Sequence, residues 1–165
     1  MVTGALFARL RPRMRGFTTV ELMVVVLIVA ILMAFAAPAM TRMVRNQRVK
    51  TAAFDVFATL TFARSEAVKR NVTVSVTPND TSDWTKGWVV ADANGNVLKT
   101  ENDRKLGASE LILTGPTAAV MYSRTGRLGS AAPKFNMKTS DAQSIVRCVS
   151  VDLSGRPVSQ EALCP

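Results

Sequence analysis

The chain carries two thiols, Cys148 and Cys164, and no histidine. Zinc clusters and histidine-based triads are excluded by that absence. Serines and aspartates are plentiful, but none has a recognisable base, because a matched lysine motif is missing as well; the chain reads as a non-enzyme without a cofactor. The cysteine pair reads as a disulfide rather than a redox or metal site, provided the domain lies outside the cytoplasm. Asp92, Asn94 and Asn96 have the alternate spacing of a calcium loop. Glu101 and Asp103 do not complete that spacing, so the segment reads as a hairpin turn. Trp84, Trp88 and Tyr122 could stack on bases, but aromatics at strand starts are read as packing groups.

One carboxylate stands where a carboxylate is expensive. Residues 17–37 read FTTVELMVVVLIVAILMAFAA, about the length of helix that spans a bilayer core. Glu21 lies within that run, and leaving its charge unpaired there costs on the order of 2 to 3 kcal/mol or more. Arg9, Arg11, Arg13 and Arg15 precede the run and would hold this end in the cytoplasm. Without these four arginines the formal charge of +9 falls to about +5, a modest balance of mixed sign that reads as a solvated surface. Ala36-Ala37-Pro38-Ala39 offers small residues for a signal-peptidase cut. The apolar run is too long for an ordinary signal peptide, however, and Pro38 disfavours cleavage there.

The elements that must position these groups follow from periodicity. Val49, Ala53, Val56, Leu60, Ala63 and Ala67 recur at alternating steps of four and three, with Phe57 widening the stripe, which predicts a one-faced helix. Pro38 is expected to kink it or mark a local break. After Asn71 the period changes to two. Strands are predicted at 72–76, 87–90, 97–98, 110–114, 119–123, 134–138 and 144–153, with Asn94-Gly95, Gly115-Pro116, Thr125-Gly126 and Ser154-Gly155 as turn signals. The expected fold class is α+β: a long N-terminal membrane helix continuing into an amphipathic helix packed on antiparallel sheets. The corresponding division is 1–16 leader, 17–38 membrane helix, 39–71 amphipathic continuation and 72–165 β-rich head.

Arg15-Gly16-Phe17-Thr18-Thr19-Val20-Glu21-Leu22 resembles the type IV prepilin processing motif: a basic leader ending in Gly, then Phe, then Glu at the fifth mature position. The resemblance implies that a prepilin peptidase in the bacterial inner membrane cuts between Gly16 and Phe17, and that the new amino group of Phe17 is methylated. It also implies that Glu21 meets the N-terminal ammonium of a neighbouring subunit, turning a costly charge into an assembly contact. Pro38 falls at the twenty-second mature position, where pilin-like helices commonly carry proline. Either Met1 or Met14 can serve as the start.

Further along, Gly87-Trp88 leading into Asp92-Ala93-Asn94-Gly95-Asn96, the segment Tyr122-Ser123-Arg124-Thr125-Gly126, and the run from Arg147 through Cys148 to Arg156 resemble in their order the GspH/FimT/FimU family. The resemblance implies a pilin-like fold and a minor pilin or pseudopilin whose partners are other pilins or pseudopilins. Such a subunit is anchored once in the inner membrane with its C-terminal head in the periplasm, and joins a type IV pilus or a type II secretion pseudopilus in initiation or at the tip. The alternative it offers is a minor pilin that binds DNA for uptake in transformation. DNA-binding FimT-like members carry Gly, Arg, any residue, Arg, where this chain has Gly155-Arg156-Pro157-Val158. Arg156 with Arg124 and Arg127, and with Lys134 and Arg147 nearby, would then be the phosphate contacts.

Overall fold

The computed structural model describes residues 16–80, 83–102, 111–129, 132–140 and 144–165. The leader arginines, Asp103 and Glu110 lie outside the described residues. In chain order the elements are α1 (Thr19–Arg70), β1 (Val74–Asp80), β2 (Asp83–Asp92), β3 (Val97–Asn102), β4 (Leu111–Thr114), β5 (Val120–Tyr122), β6 (Lys134–Thr139), β7 (Arg147–Val151) and β8 (Pro157–Gln160). The chain divides into two units, Met1–Ala39 and Met40–Pro165.

In the first unit the described residues are exposed throughout, including large apolar side chains such as Phe17, Leu22, Leu27, Leu32 and Phe35. A helix apolar on all sides has no polar face to give to water; it is built for lipid or for other apolar helices. The segment is long and apolar enough to cross a membrane. Pro38 lies inside α1 and does not end it. A proline removes one backbone donor from the helical ladder, and apolar helices of spanning length tolerate that loss better than exposed ones.

In the second unit the later turns of α1 bury Val49, Ala52, Ala53, Val56, Thr59, Leu60, Ala63, Glu66 and Ala67. These include the six stripe residues expected from the spacing, and their alanines let the sheets approach the helix closely. Two antiparallel four-stranded sheets complete the unit, in the orders β3-β2-β1-β5 and β4-β6-β7-β8. The first is pinned by Val74↔Asp92 and Val76↔Val90 on one side of β1 and by Val74↔Tyr122 on the other. The second is pinned by Phe135↔Val149 and Val149↔Ser159. Alternation places Val74, Val76, Trp88, Val90 and Tyr122 from one sheet, and Phe135, Met137, Val149 and Val151 from the other, in one core.

Trp84 joins the sheets. Its ring meets Phe135 edge-on with centroids 4.8 Å apart, and its indole N–H donates to the Pro116 carbonyl at 2.9 Å. The Trp88 indole N–H donates to the Thr59 hydroxyl of α1 at 3.2 Å. Both rings and Tyr122 are buried, so they pack the core and offer no face to a base.

Strand boundaries differ from the sequence reading in instructive ways. β1 begins at Val74 and extends to Asp80 because pairing with β2 continues through Pro78↔Trp88, where the sequence no longer alternates. β8 was not expected at all. Its short run opens on a proline and has no buried residue, so it lacks the apolar alternation by which strands are recognised.

Candidate functional site

Three regions carry the residues singled out by type. The first is the start of α1. Thr18 immediately precedes the helix, and its hydroxyl accepts the Glu21 N–H at 3.2 Å while its carbonyl accepts the Leu22 N–H at 3.1 Å. Thr18 is thus the N-cap and Glu21 the third helical residue, the spacing of a capping box. Glu21 places a negative charge in the first turn, where the helix dipole favours it. Gly16 has nothing within 4 Å of where a Cβ would stand, and Phe17 is 71% exposed. The Gly16-Phe17 peptide therefore lies just ahead of the capped helix and open to approach.

The second region is a pair of tight turns. Ser123-Arg124-Thr125-Gly126-Arg127 follows β5, and Asp152-Leu153-Ser154-Gly155-Arg156 joins β7 to β8. In each, the first residue's N–H donates to the carbonyl of the fifth: Ser123 to Arg127 at 2.9 Å, Asp152 to Arg156 at 3.3 Å. In each, the first side chain also accepts the N–H of the fifth residue, at 3.3 Å on the Ser123 hydroxyl and 3.0 Å on the Asp152 carboxylate. Each needs glycine at the fourth place, with φ of 72° at Gly126 and 81° at Gly155. Asp92-Ala93-Asn94-Gly95-Asn96 is a third copy of the same turn, with Asp92 accepting from the Asn94 and Asn96 N–H groups and from the Asn96 side-chain amide. These donors make the Asp92 carboxylate a lock for its turn. The signal for all three was legible: a small polar residue, then glycine three places on.

The two later turns lie against each other and are held by one residue of α1. The Arg64 Nε donates to the Gly126 carbonyl at 3.1 Å and its Nη2 to the Ser154 carbonyl at 3.3 Å. Nothing in the sequence pattern singles out Arg64 among the basic residues of α1. Beneath the turns, burial pushes the Tyr122 hydroxyl well above its ordinary range, and the hydroxyl has no hydrogen-bond partner among the described residues. The bond from the Ser154 hydroxyl, together with the Arg156 N–H, holds the Asp152 carboxyl below the usual carboxylate range.

This arrangement gathers some of the expected basic residues and separates others. Arg124, Arg127 and Arg156 are exposed on the two touching turns. Arg147 opens β7 and pairs with Glu161 at 3.1 Å, while Lys134 opens β6 and donates to the Pro165 carbonyl. Neither lies on the turns. Val158 is 53% exposed on β8.

The third region is the C-terminal tail. Cys148 and Cys164 form a disulfide with Cα atoms 5.1 Å apart. The Cys164 N–H also donates to the Asn136 side-chain oxygen at 2.8 Å. The tail is thereby fastened back across β7 onto β6.

Comparison with known proteins agrees with this geometry. The family model described as type II transport protein GspH matches residues 52–155, and the model of the prokaryotic N-terminal methylation motif matches residues 11–37. Among solved structures, the type IV minor pilin FimU of Pseudomonas aeruginosa is similar, with 23% identity and a TM-score of 0.58 over 72% of this chain and 90% of that one. The minor pseudopilin EpsH of the Vibrio cholerae type 2 secretion system is similar with 16% identity and a TM-score of 0.52, over 69% of this chain and 97% of that one. No curated protein matches the chain.

Proposed function

This chain belongs to the GspH family of minor pilins and pseudopilins, and from that premise we propose that it is made as a precursor, matured at its N-terminus and then assembled through its helix and head. Residues 1–16 are the leader, 17–38 the single inner-membrane span, 39–71 the amphipathic continuation, and 72–165 the periplasmic head. A prepilin peptidase cuts between Gly16 and Phe17, and Phe17 is N-methylated. The subunit joins related subunits in a type IV pilus or a type II secretion pseudopilus, in initiation or at the tip. It works by its interfaces and not as an enzyme.

The observation that carries this reading is the accessible Gly16-Phe17 peptide ahead of a capped helix with Glu21 in its first turn. A lone carboxylate in an apolar helix has a reason to persist if a neighbour's N-terminal ammonium meets it. Intact-mass measurement of membrane-extracted protein tests the reading. The expected mature chain begins at methylated Phe17, and retention of residues 1–16 in cells with an active prepilin peptidase overturns it. The unprocessed mass is compared with starts at both Met1 and Met14.

A second reading, DNA binding for uptake, is favoured by one observation: Arg124, Arg127 and Arg156 stand exposed on two turns that Arg64 clasps together. Clustered guanidinium groups suit phosphate contacts. Against it, Val158 stands where the FimT-like pattern has its second arginine, and the structural subunit remains the preferred reading.

A further inference from the structure

Lys50, Phe54 and Phe57 lie one helical turn apart on the same side of α1. With Ala53, and with Arg147 of β7 and Ser159 of β8, they enclose a cleft of about 330 Å³ within the second unit. Its floor is apolar and its rim cationic. Phe54 is 68% exposed, although it stands beside the helix face that buries Ala53 and Val56. With the partly buried Phe57 it forms an apolar patch continuous with the hollow.

The rim states the charge of the occupant. Lys50 has no carboxylate partner among the described residues. Arg147 gives its Nη2 to Glu161, a carboxylate that is itself 57% exposed, and its Nε is buried without an acceptor among the described residues. The guanidinium is thus committed to a carboxylate of its own chain and its buried Nε is out of an incoming group's reach, which leaves Lys50 as the exposed cation of the rim. The formal net charge of +9 is still about +5 without the four leader arginines, so a second copy would bring like charge to a cationic rim. An acidic partner brings the opposite charge. The aromatic floor in turn asks for a large apolar side chain, which a bare phosphate backbone does not supply.

We propose that this cleft receives an acidic segment of a different protein subunit, which inserts one large apolar side chain beside Phe54 and Phe57 and sets a carboxylate against Lys50. The site deepens the assembly reading and rests on it for the nature of the partner. Cleavage after Gly16 tests that reading separately, so a correctly matured chain with no binding at the cleft overturns the cleft alone.

The experiment uses the full chain in neutral-lipid nanodiscs and a fluorescent peptide, Glu-Phe-Glu-Leu-Glu, with Lys-Phe-Lys-Leu-Lys as its charge-reversed control. Saturable binding of the acidic peptide is expected, weakened at least tenfold by Phe54→Ser and by Lys50→Glu and unchanged by Lys138→Glu on β6. Phe54 and Lys50 are exposed, and circular dichroism with thiol titration checks that each variant keeps its fold and its disulfide. Absence of binding, equal binding of the basic peptide, or indifference to Phe54→Ser overturns the proposal. So does displacement of the peptide by duplex DNA or by anionic vesicles, which would make the rim a general anion surface. In cells, a photoreactive residue at position 54 should cross-link to an acidic stretch of another subunit; cross-links to copies of this chain alone overturn the choice of partner.

Discussion

Gly155 lies so close to Gly126 that a Cβ on Gly155 would stand 2.0 Å from the Gly126 carbonyl oxygen. That oxygen is the same one that accepts from Arg64. The contact leaves no room for a methyl group, and the backbone of Gly155 is in the left-handed region as well. Gly155→Ala should therefore cost at least about 2 kcal/mol, combining left-handed strain with a backbone clash. Gly95→Ala is the matched control: the same turn and a φ of 83°, but open space around the new methyl. Thermal unfolding of the two variants should show the larger loss for Gly155→Ala.

The carboxylates that lock these turns make stability acid-sensitive. The Asn96 side-chain amide and the Asn94 and Asn96 backbone N–H groups hold Asp92 low, as the Ser154 hydroxyl and Arg156 N–H hold Asp152. Arg70, with Lys69, does the same for Glu66. A depressed folded pKa means that the stabilisation is fully present above the unfolded value, about 4 for such groups, and is lost as pH falls through the folded value. The melting temperature should thus hold from neutrality to about pH 5 and drop below about pH 4. Asp152→Asn should lower it at neutral pH and flatten part of the acid drop; an unchanged acid drop would remove Asp152 from the account.

Much of this was legible because period reports burial directly. The stripe from Val49 to Ala67 and the alternation of β1 both correspond to one face meeting one core. The Arg64 clasp was not legible, since nothing local distinguishes an arginine that reaches two carbonyls on distant turns from one that points into water. β8 escaped for a related reason. It is held by pairing with β7 rather than by burying its own side chains.

The disulfide closes a loop with a separation of 16 residues, for which chain-entropy arguments give about 3 kcal/mol. That loop contains the turn from Asp152 to Arg156. Cys164→Ser should lower stability by that order and quicken hydrogen exchange in β8 and the tail more than in β1. Two reactive thiols in protein purified without reductant would contradict the bridge.

Glu21→Ala should leave cleavage and membrane insertion intact, because the scissile peptide precedes the helix and the substitution makes the span more apolar. It should weaken recovery with sibling subunits in a pull-down, since the carboxylate offered to a neighbour's ammonium is gone. Glu21→Gln separates the roles by keeping the size and the helix-capping reach of the side chain while removing its charge. Unchanged recovery in both variants would sink the proposed contact.

The exposed arginines on the two turns set the last test. In neutral-lipid nanodiscs the full chain should bind duplex DNA weakly and without sequence preference, through phosphate contacts alone. Arg156 closes the turn before the edge strand β8, and Val158 is the second residue of that strand. Val158→Arg adds a guanidinium two residues along the chain from Arg156, and because Val158 is exposed the change buries no charge. It should raise affinity and make the dependence on salt steeper by about one unit of log K per log salt, the signature of one further phosphate contact. Tight binding by the unaltered chain at physiological salt, abolished by Arg156→Ala, would put DNA uptake ahead of the structural role. No gain from Val158→Arg would remove the paired turns as a phosphate site.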